Sequence, residues 1–439
     1  MRKTFIAVCF VFSILPACAQ RADMRIAALI NASDWFALEE EYPVLKDSVQ
    51  MQVLKSLSEA MLDTYFNRPE QAIEKIKAIL SNHKNEMDSA SLRGLHALAI
   101  MTDGKLGNYA RAADSLNVFL KSLAAIGGKE ELEYYQDLYK HFDELRKVPA
   151  PSISRPQKDI EVPVSIEKLI LPVSVEPKGY RGAFLKIPVT IHGKTYQFIF
   201  DTGASTTFVS ERFARKIGVR IFGDTVTINK NMIGESHGMR GILDSVQIGP
   251  ITFRNALVHI SPPNASVDSI VQIDAVLGID FMNLMKEFQI YVNESKLVFP
   301  YKPTPLPVTG RNMLLNNATL PILKTYAGKE RLLFSFDTGN TTADLFYTYY
   351  TKHQQEIDRV SVKDSITGGG FGFVRTKEIL CLPSISFNVG KTPVVMKDIR
   401  VHPTADRGQS SEDGNMGMDL IRLFSKVTVN LKDMFVDLK

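Results

Sequence analysis

Phe198-Ile199-Phe200-Asp201-Thr202-Gly203-Ala204 recurs as Phe334-Ser335-Phe336-Asp337-Thr338-Gly339-Asn340 in a chain of 439 residues. Each copy reads as an apolar strand that ends on an acidic turn. A second motif follows each copy. Asp274-Ala275-Val276-Leu277-Gly278-Ile279-Asp280-Phe281 comes after the first, and Asp413-Gly414-Asn415-Met416-Gly417-Met418-Asp419-Leu420 after the second. Gly278 lies 77 residues beyond Asp201, and Gly417 lies 80 beyond Asp337. Both halves then close on strand-like segments, Phe288 to Val292 and Val427 to Leu431. A single Asp-Thr-Gly arises by chance on the order of once in ten chains of this length. Two copies with the same companions at nearly the same spacing indicate an internal duplication.

Working outward, the pattern from Gly182 onward is β: short runs of Val, Ile, Phe and Thr broken by Gly, Asn and Pro. Pro300, Pro303, Pro305 and Pro307 divide it into lobes over 179–302 and 303–439. Upstream, 148–178 carries six prolines and reads as a linker that turns into the first strands. Residues 24–147 read as helices, with apolar residues at three and four spacing such as Leu92, Leu95 and Ala99. Two stretches there are related at an offset of 40: Asn67 to Ala72 and Gly107 to Ala112. The second resembles the start of the second helix of a tetratricopeptide repeat, and an irregular helical bundle is the alternative. The expected fold class is therefore multidomain α + β: an N-terminal α-helical domain followed by an all-β module of two lobes.

The repeated motifs resemble the aspartic proteases, specifically retropepsin-like domains, over roughly Gly182 to the C-terminus. The resemblance implies that each lobe supplies one catalytic carboxylate, Asp201 and Asp337, and that Gly278 and Gly417 belong to a hydrophobic-Gly segment packed behind it. It also implies a single-chain, monomeric active site, as in pepsin-like enzymes, acting on a peptide or protein substrate without metal or organic cofactor. The residues support the same chemistry independently. Gly203 and Gly339 permit a close backbone approach between lobes. Thr202 and Thr338 offer hydroxyls that can bond across the interface. Two carboxylates held a few ångströms apart share one proton, so one can activate water while the other polarises a carbonyl. Gly234 to Gly241 and Gly368 to Gly372 fall where flap hairpins are expected, a plain loop being the alternative. Ala204 fits the family pattern and Asn340 departs from it. Asn340 either bonds Asp337 and biases which carboxylate holds the proton, or marks a weakened site. Asp280 and Asp419 are expected to cap the helices they open rather than to react.

At the N-terminus, Arg2 and Lys3 precede an apolar run from Phe5 to Leu15, the pattern of an export signal over 1–19. Two processing readings compete. Ala17-Cys18-Ala19 fits cleavage after Ala19. Leu15-Pro16-Ala17-Cys18 resembles a bacterial lipobox, in which Cys18 becomes the lipid-attachment residue of a periplasmic or outer-membrane-associated lipoprotein. The run is too short for a membrane-spanning helix. Only Cys381 remains in the mature body, so no internal disulfide is available. A net charge of +4 spread along the chain, without a basic run interleaved with aromatics, speaks against a nucleic-acid partner. No His-Glu-x-x-His or Cys-x-x-Cys spacing supports a metal site. The function these features favour is an exported aspartic endopeptidase. The alternatives are a catalytically weak peptide-binding module that keeps the cleft, and an interaction protein that takes a protein partner through its helical domain.

Overall fold

The computed structural model describes residues 17–124, 127–173, 180–230, 235–263, 272–316, 319–370, 373–405 and 411–439. Most of the expected export signal lies outside them. Of Cys18 only the main chain is described, in the first turn of helix α1 (Ala17–Asn31). Among the described residues no helix is long and apolar enough to cross a membrane. The chain forms two compact units, Met1–Ala150 and Pro151–Lys439.

The first unit is helical. After α1 come α2 (Trp35–Leu45), α3 (Gln52–Tyr65), α4 (Pro69–Asn82), α5 (Ser89–Lys105), α6 (Tyr109–Leu123) and α7 (Lys129–Leu145). From α3 onward each helix packs on the next. The 40-residue repeat is visible in the turns. Asn67 and Gly107 both take positive φ, 59° and 74°, and so reverse the chain after α3 and α5. Arg68 N–H then bonds Asp63 O at 2.8 Å, and Asn108 N–H bonds Asp103 O at 2.9 Å. Each buried aspartate carries basic partners: Arg68 and Lys75 on Asp63, Arg111 and Lys77 on Asp103.

The second unit is built from three sheets. Strands 152–154, 251–261, 208–210, 275–277, 194–200, 180–191, 235–248 and 220–230 follow one another in the first. Strand 165–170 is added beside 180–191, and a further pairing between 251–261 and 235–248 folds the sheet on itself. The second has the order 313–316, 320–327, 330–336, 414–416, 344–345, 392–401, 373–389, 362–370, and curls through a contact between 320–327 and 373–389. The third is shared by both halves: 160–163, 296–299, 287–291, 426–430, 435–438. Glu287–Tyr291 of the first half pairs antiparallel with Lys426–Asn430 of the second, which joins the lobes through main-chain hydrogen bonds.

The proline-rich stretch 148–178 is more structured than its composition suggests. It contributes Ser152–Ser154 to the first sheet, Ile160–Pro163 to the shared sheet, and Ser165–Ile170 beside Tyr180–Ile191. Proline is compatible with these places because it precedes or ends a strand rather than interrupting a central one. Thr304, between Pro303 and Pro305, is also pinned. Its N–H and hydroxyl bond the buried Glu287 carboxylate at 2.7 and 2.6 Å.

Candidate active site

Both Asp-Thr-Gly loops follow the same local logic. Strands Lys194–Phe200 and Glu330–Phe336 bury Phe198, Phe200, Phe334 and Phe336 almost completely. Aromatic burial of this size fixes the strands, and the next residue, Asp201 or Asp337, emerges at the end of each. Ala275–Leu277 runs parallel to the first strand and Gly414–Met416 parallel to the second. Asp201 N–H bonds Leu277 O at 3.0 Å, and Asp337 N–H bonds Met416 O at 2.9 Å. Gly278 and Gly417 come next. A Cβ on Gly278 would collide with Ala204 O and Thr206, and one on Gly417 with Asn340 O, so each loop passes over a glycine. The hydrophobic-Gly segments thus pack behind the acidic loops, and Ile279 N–H and Met418 N–H bond Ala204 O and Asn340 O at 2.8 and 2.9 Å.

The two loops lock together. Thr202 N–H donates to Thr338 Oγ1 at 2.9 Å, and Thr338 N–H to Thr202 Oγ1 at 3.0 Å. Each hydroxyl then donates to the main chain before the other aspartate: Thr202 Oγ1 to Phe336 O at 2.7 Å, Thr338 Oγ1 to Phe200 O at 2.6 Å. Both threonines are fully buried. Every polar group of this four-bond lattice has a partner, so a water-excluded site rigidifies rather than destabilises the interface. The lattice also places each glycine against the opposite acid. A Cβ on Gly203 would overlap the Asp337 carboxyl carbon, and one on Gly339 the Asp201 carboxyl carbon. Only glycine lets the two carboxyl groups meet.

Each carboxylate is held from its own loop. Asp201 Oδ1 accepts Gly203 N–H at 2.8 Å and Ala204 N–H at 3.1 Å. Asp337 Oδ1 accepts Gly339 N–H at 2.9 Å and Asn340 N–H at 3.1 Å. Burial and then the charge of Asp337 push the Asp201 carboxyl well above the ordinary carboxylate range, against the pull of its two N–H donors.

Asn340 contacts Asp337 through its main chain alone. Its side chain turns away, with Nδ2 3.5 Å from Asp344 Oδ2 and Oδ1 accepting Thr342 N–H at 3.4 Å. The side chain that does bond the acid is Asn415, whose Nδ2 donates to Asp337 Oδ2 at 3.3 Å. It was legible as a polar residue in Gly414-Asn415-Met416-Gly417, where the other half has Ala275-Val276-Leu277-Gly278.

Asp280 and Asp419 stand behind the loops rather than at the helix caps, since Gly278 and Gly417 occupy the capping positions. Asp280 accepts Thr207 N–H at 3.1 Å and the Thr207 hydroxyl at 3.0 Å; Asp419 accepts Ala343 N–H at 3.1 Å. Thr207 and Ala343 both lie six residues past their Asp, so each carboxylate braces the far end of an acidic loop. Burial raises the Asp280 carboxyl to about 6, with the Thr207 and Phe281 hydrogen bonds opposing it.

The glycine-rich segments belong to two hairpins, Arg220–Lys230 with Glu235–Ile248 and Val362–Gly370 with Phe373–Val389. Gly234, Phe371 and Gly372 lie outside the described residues.

Residues 187–284, which include Asp201, Gly278 and Asp280, match the family model described as "gag-polyprotein putative aspartyl protease". The β unit has an aspartic-protease-like fold. The match lies within the first lobe; the second repeats its strand pairing, its Asp-Thr-Gly loop and its glycine-backed strand on the same chain. Among solved structures, this chain is similar to an aspartic proteinase from Irpex lacteus, with 12% sequence identity, 63% of this chain and 96% of that chain covered, and a TM-score of 0.40. No curated protein matches the chain.

The two halves of the protease-like unit differ in the side chains beside the acids. Around Asp201, Ile199, Phe208 and Val276 form a buried apolar cluster with Phe184, Ala204 and Ile273 against it. In the second half the same register positions, Ser335, Asp344 and Asn415, are polar.

Proposed function

We propose that the protein is an exported aspartic endopeptidase in which Asp201 and Asp337 act as one catalytic dyad on a peptide or protein substrate. The observation that carries this reading is the threonine lattice, which sets two carboxyl groups against each other's loops on one chain. Two adjacent acids in a part-buried site hold one proton between them at mildly acidic pH. The ionised member then takes a proton from water as it attacks the scissile carbonyl, and the protonated member donates to the carbonyl oxygen. The remaining loop groups keep fixed positions: Gly203, Ala204, Gly339 and Asn340 offer main-chain N–H groups, so little reorganisation is needed as charge moves. No metal or organic cofactor enters this scheme.

The test is peptide-library cleavage by wild type, Asp201→Asn and Asp337→Asn. Both variants should fold and lose at least about a thousandfold in kcat/KM, since neither a lone base nor a lone acid completes the cycle. Wild-type activity should fall as pH rises past the upper step of the pair, because the raised Asp201 carboxyl then loses the shared proton. Near wild-type cleavage by either folded variant would sink the dyad. Peptide binding without cleavage by wild type would favour a binding module in its place.

Export belongs to the same proposal, supported by the charged and apolar segments before Cys18. Acylation of Cys18 with several chains would hold the enzyme at a membrane. Mass spectrometry of the mature N-terminus should find lipidated Cys18; an unmodified chain starting at Gln20 would mean cleavage after Ala19 and no anchor.

A further inference from the structure

We propose that Asn415 is a positioning residue that keeps the negative charge of the pair on Asp337 and therefore the shared proton on Asp201. The inference rests on reading Asp201 and Asp337 as one dyad, but not on the reaction the dyad performs.

Main-chain support of the two acids is nearly symmetrical: each Oδ1 accepts two N–H groups from its own loop at 2.8 to 3.1 Å. The Oδ2 atoms differ. Asp337 Oδ2 accepts Asn415 Nδ2 at 3.3 Å. The matching position beside Asp201 is Val276, which pairs with Ile199 and Phe208 as Asn415 pairs with Ser335 and Asp344. Valine donates nothing. A donor on one acid favours the ionised form of that acid, because a carboxylate accepts more strongly than a neutral carboxyl.

The charged groups nearby have partners of their own. Asp280 faces Thr207 behind the first loop, and Asp419 faces Ala343 behind the second. Asp344 lies against Asn340 and His402, and Arg400 reaches Thr342. Each of these groups has a partner away from the two carboxylates.

Stability does not account for the amide. Among the described residues the buried Asn415 Oδ1 has no hydrogen-bond partner, a cost that valine in the other half avoids. An asparagine kept at that cost beside an acid is explained by what its Nδ2 does for Asp337.

The experiment is a pH titration of the full chain labelled with carboxyl-13C aspartate, with the two signals assigned through Asp201→Asn and Asp337→Asn. In wild type the lower step should report at Asp337 and the upper at Asp201. Asn415→Val should raise the lower step by about one pH unit and spread both steps over both signals, with Tm unchanged or higher. Asn415→Ala, which also donates nothing, serves the same purpose should valine disturb folding, and it should move the steps in the same direction. A lower step at Asp201 in wild type, or titrations unmoved in a folded variant, would overturn the assignment. Because no substrate is needed, the two readings separate. Split titrations in a chain that cleaves nothing would remove the enzymatic function and leave this inference standing. Cleavage with titrations unaffected by Asn415→Val would do the reverse.

Discussion

Asp280 shows how much a single buried carboxyl does away from the reacting atoms. It braces Thr207 by two hydrogen bonds, and burial lifts its titration to about 6. A carboxyl raised in the folded state binds its proton more tightly there than in the unfolded chain. Its stabilising effect is complete below the unfolded value near 3.8 and is lost as pH climbs through 6. The size is on the order of 2–3 kcal/mol between those limits. Melting of wild type from pH 4 to pH 7 should therefore show stability falling with pH, and Asp280→Asn should flatten that slope. An identical slope in a well-folded Asp280→Asn chain would place the proton linkage elsewhere. At this scale the paired acids, their glycines and their threonines were legible in the sequence because each carries a chemical requirement in a short motif. The role of Asn340 was not. Which of two asparagines reaches Asp337 depends on side-chain direction across a parallel strand pair, and no spacing along the chain encodes that.

The elements that join the two halves rest on the shared five-stranded sheet, and its buried polar centre is Glu287. That carboxylate has no exposed surface and accepts from Gln289, Asn430 and both donors of Thr304. A carboxylate is acceptor-only, and its partners here present donors. Glu287→Gln must turn an NH2 group toward one of them, so at least one buried donor loses its acceptor. The expected cost is about 1–3 kcal/mol, read as a lower denaturant midpoint of the β unit. A change of less than a few tenths would mean that water satisfies these donors instead. The hairpins and the Asp-Thr-Gly strands could be foreseen from period-two patterns and glycine clusters. That 148–178 turns into the first strands was legible too, but not the bounds of Ser152–Ser154, Ile160–Pro163 and Ser165–Ile170 or their partners, because proline density masks short strands that pair with residues far along the chain.

For the molecule as a whole, the division at Ala150 and Pro151 leads to a direct expectation. A chain of residues 151–439 carries all three sheets and both acidic loops, so it should fold by itself, run as a monomer in size-exclusion chromatography and cleave the peptides the full chain cleaves. An insoluble or inactive fragment would make the helical unit part of the working enzyme. The sequence alone determined the duplication, the strand-ending acids, the close-approach glycines and the helical character of the first unit. These follow from local periodicity and from residue types with few substitutes, so they survive without knowledge of what lies across the chain. The tertiary structure decided the rest. It put Thr202 on Phe336 and Thr338 on Phe200, brought Glu287 to Thr304 and Asn430, and set Asn415 rather than Asn340 on Asp337. Those choices join residues 17 to 143 positions apart and depend on register, where a shift of one residue would turn every side chain to the other face of its sheet.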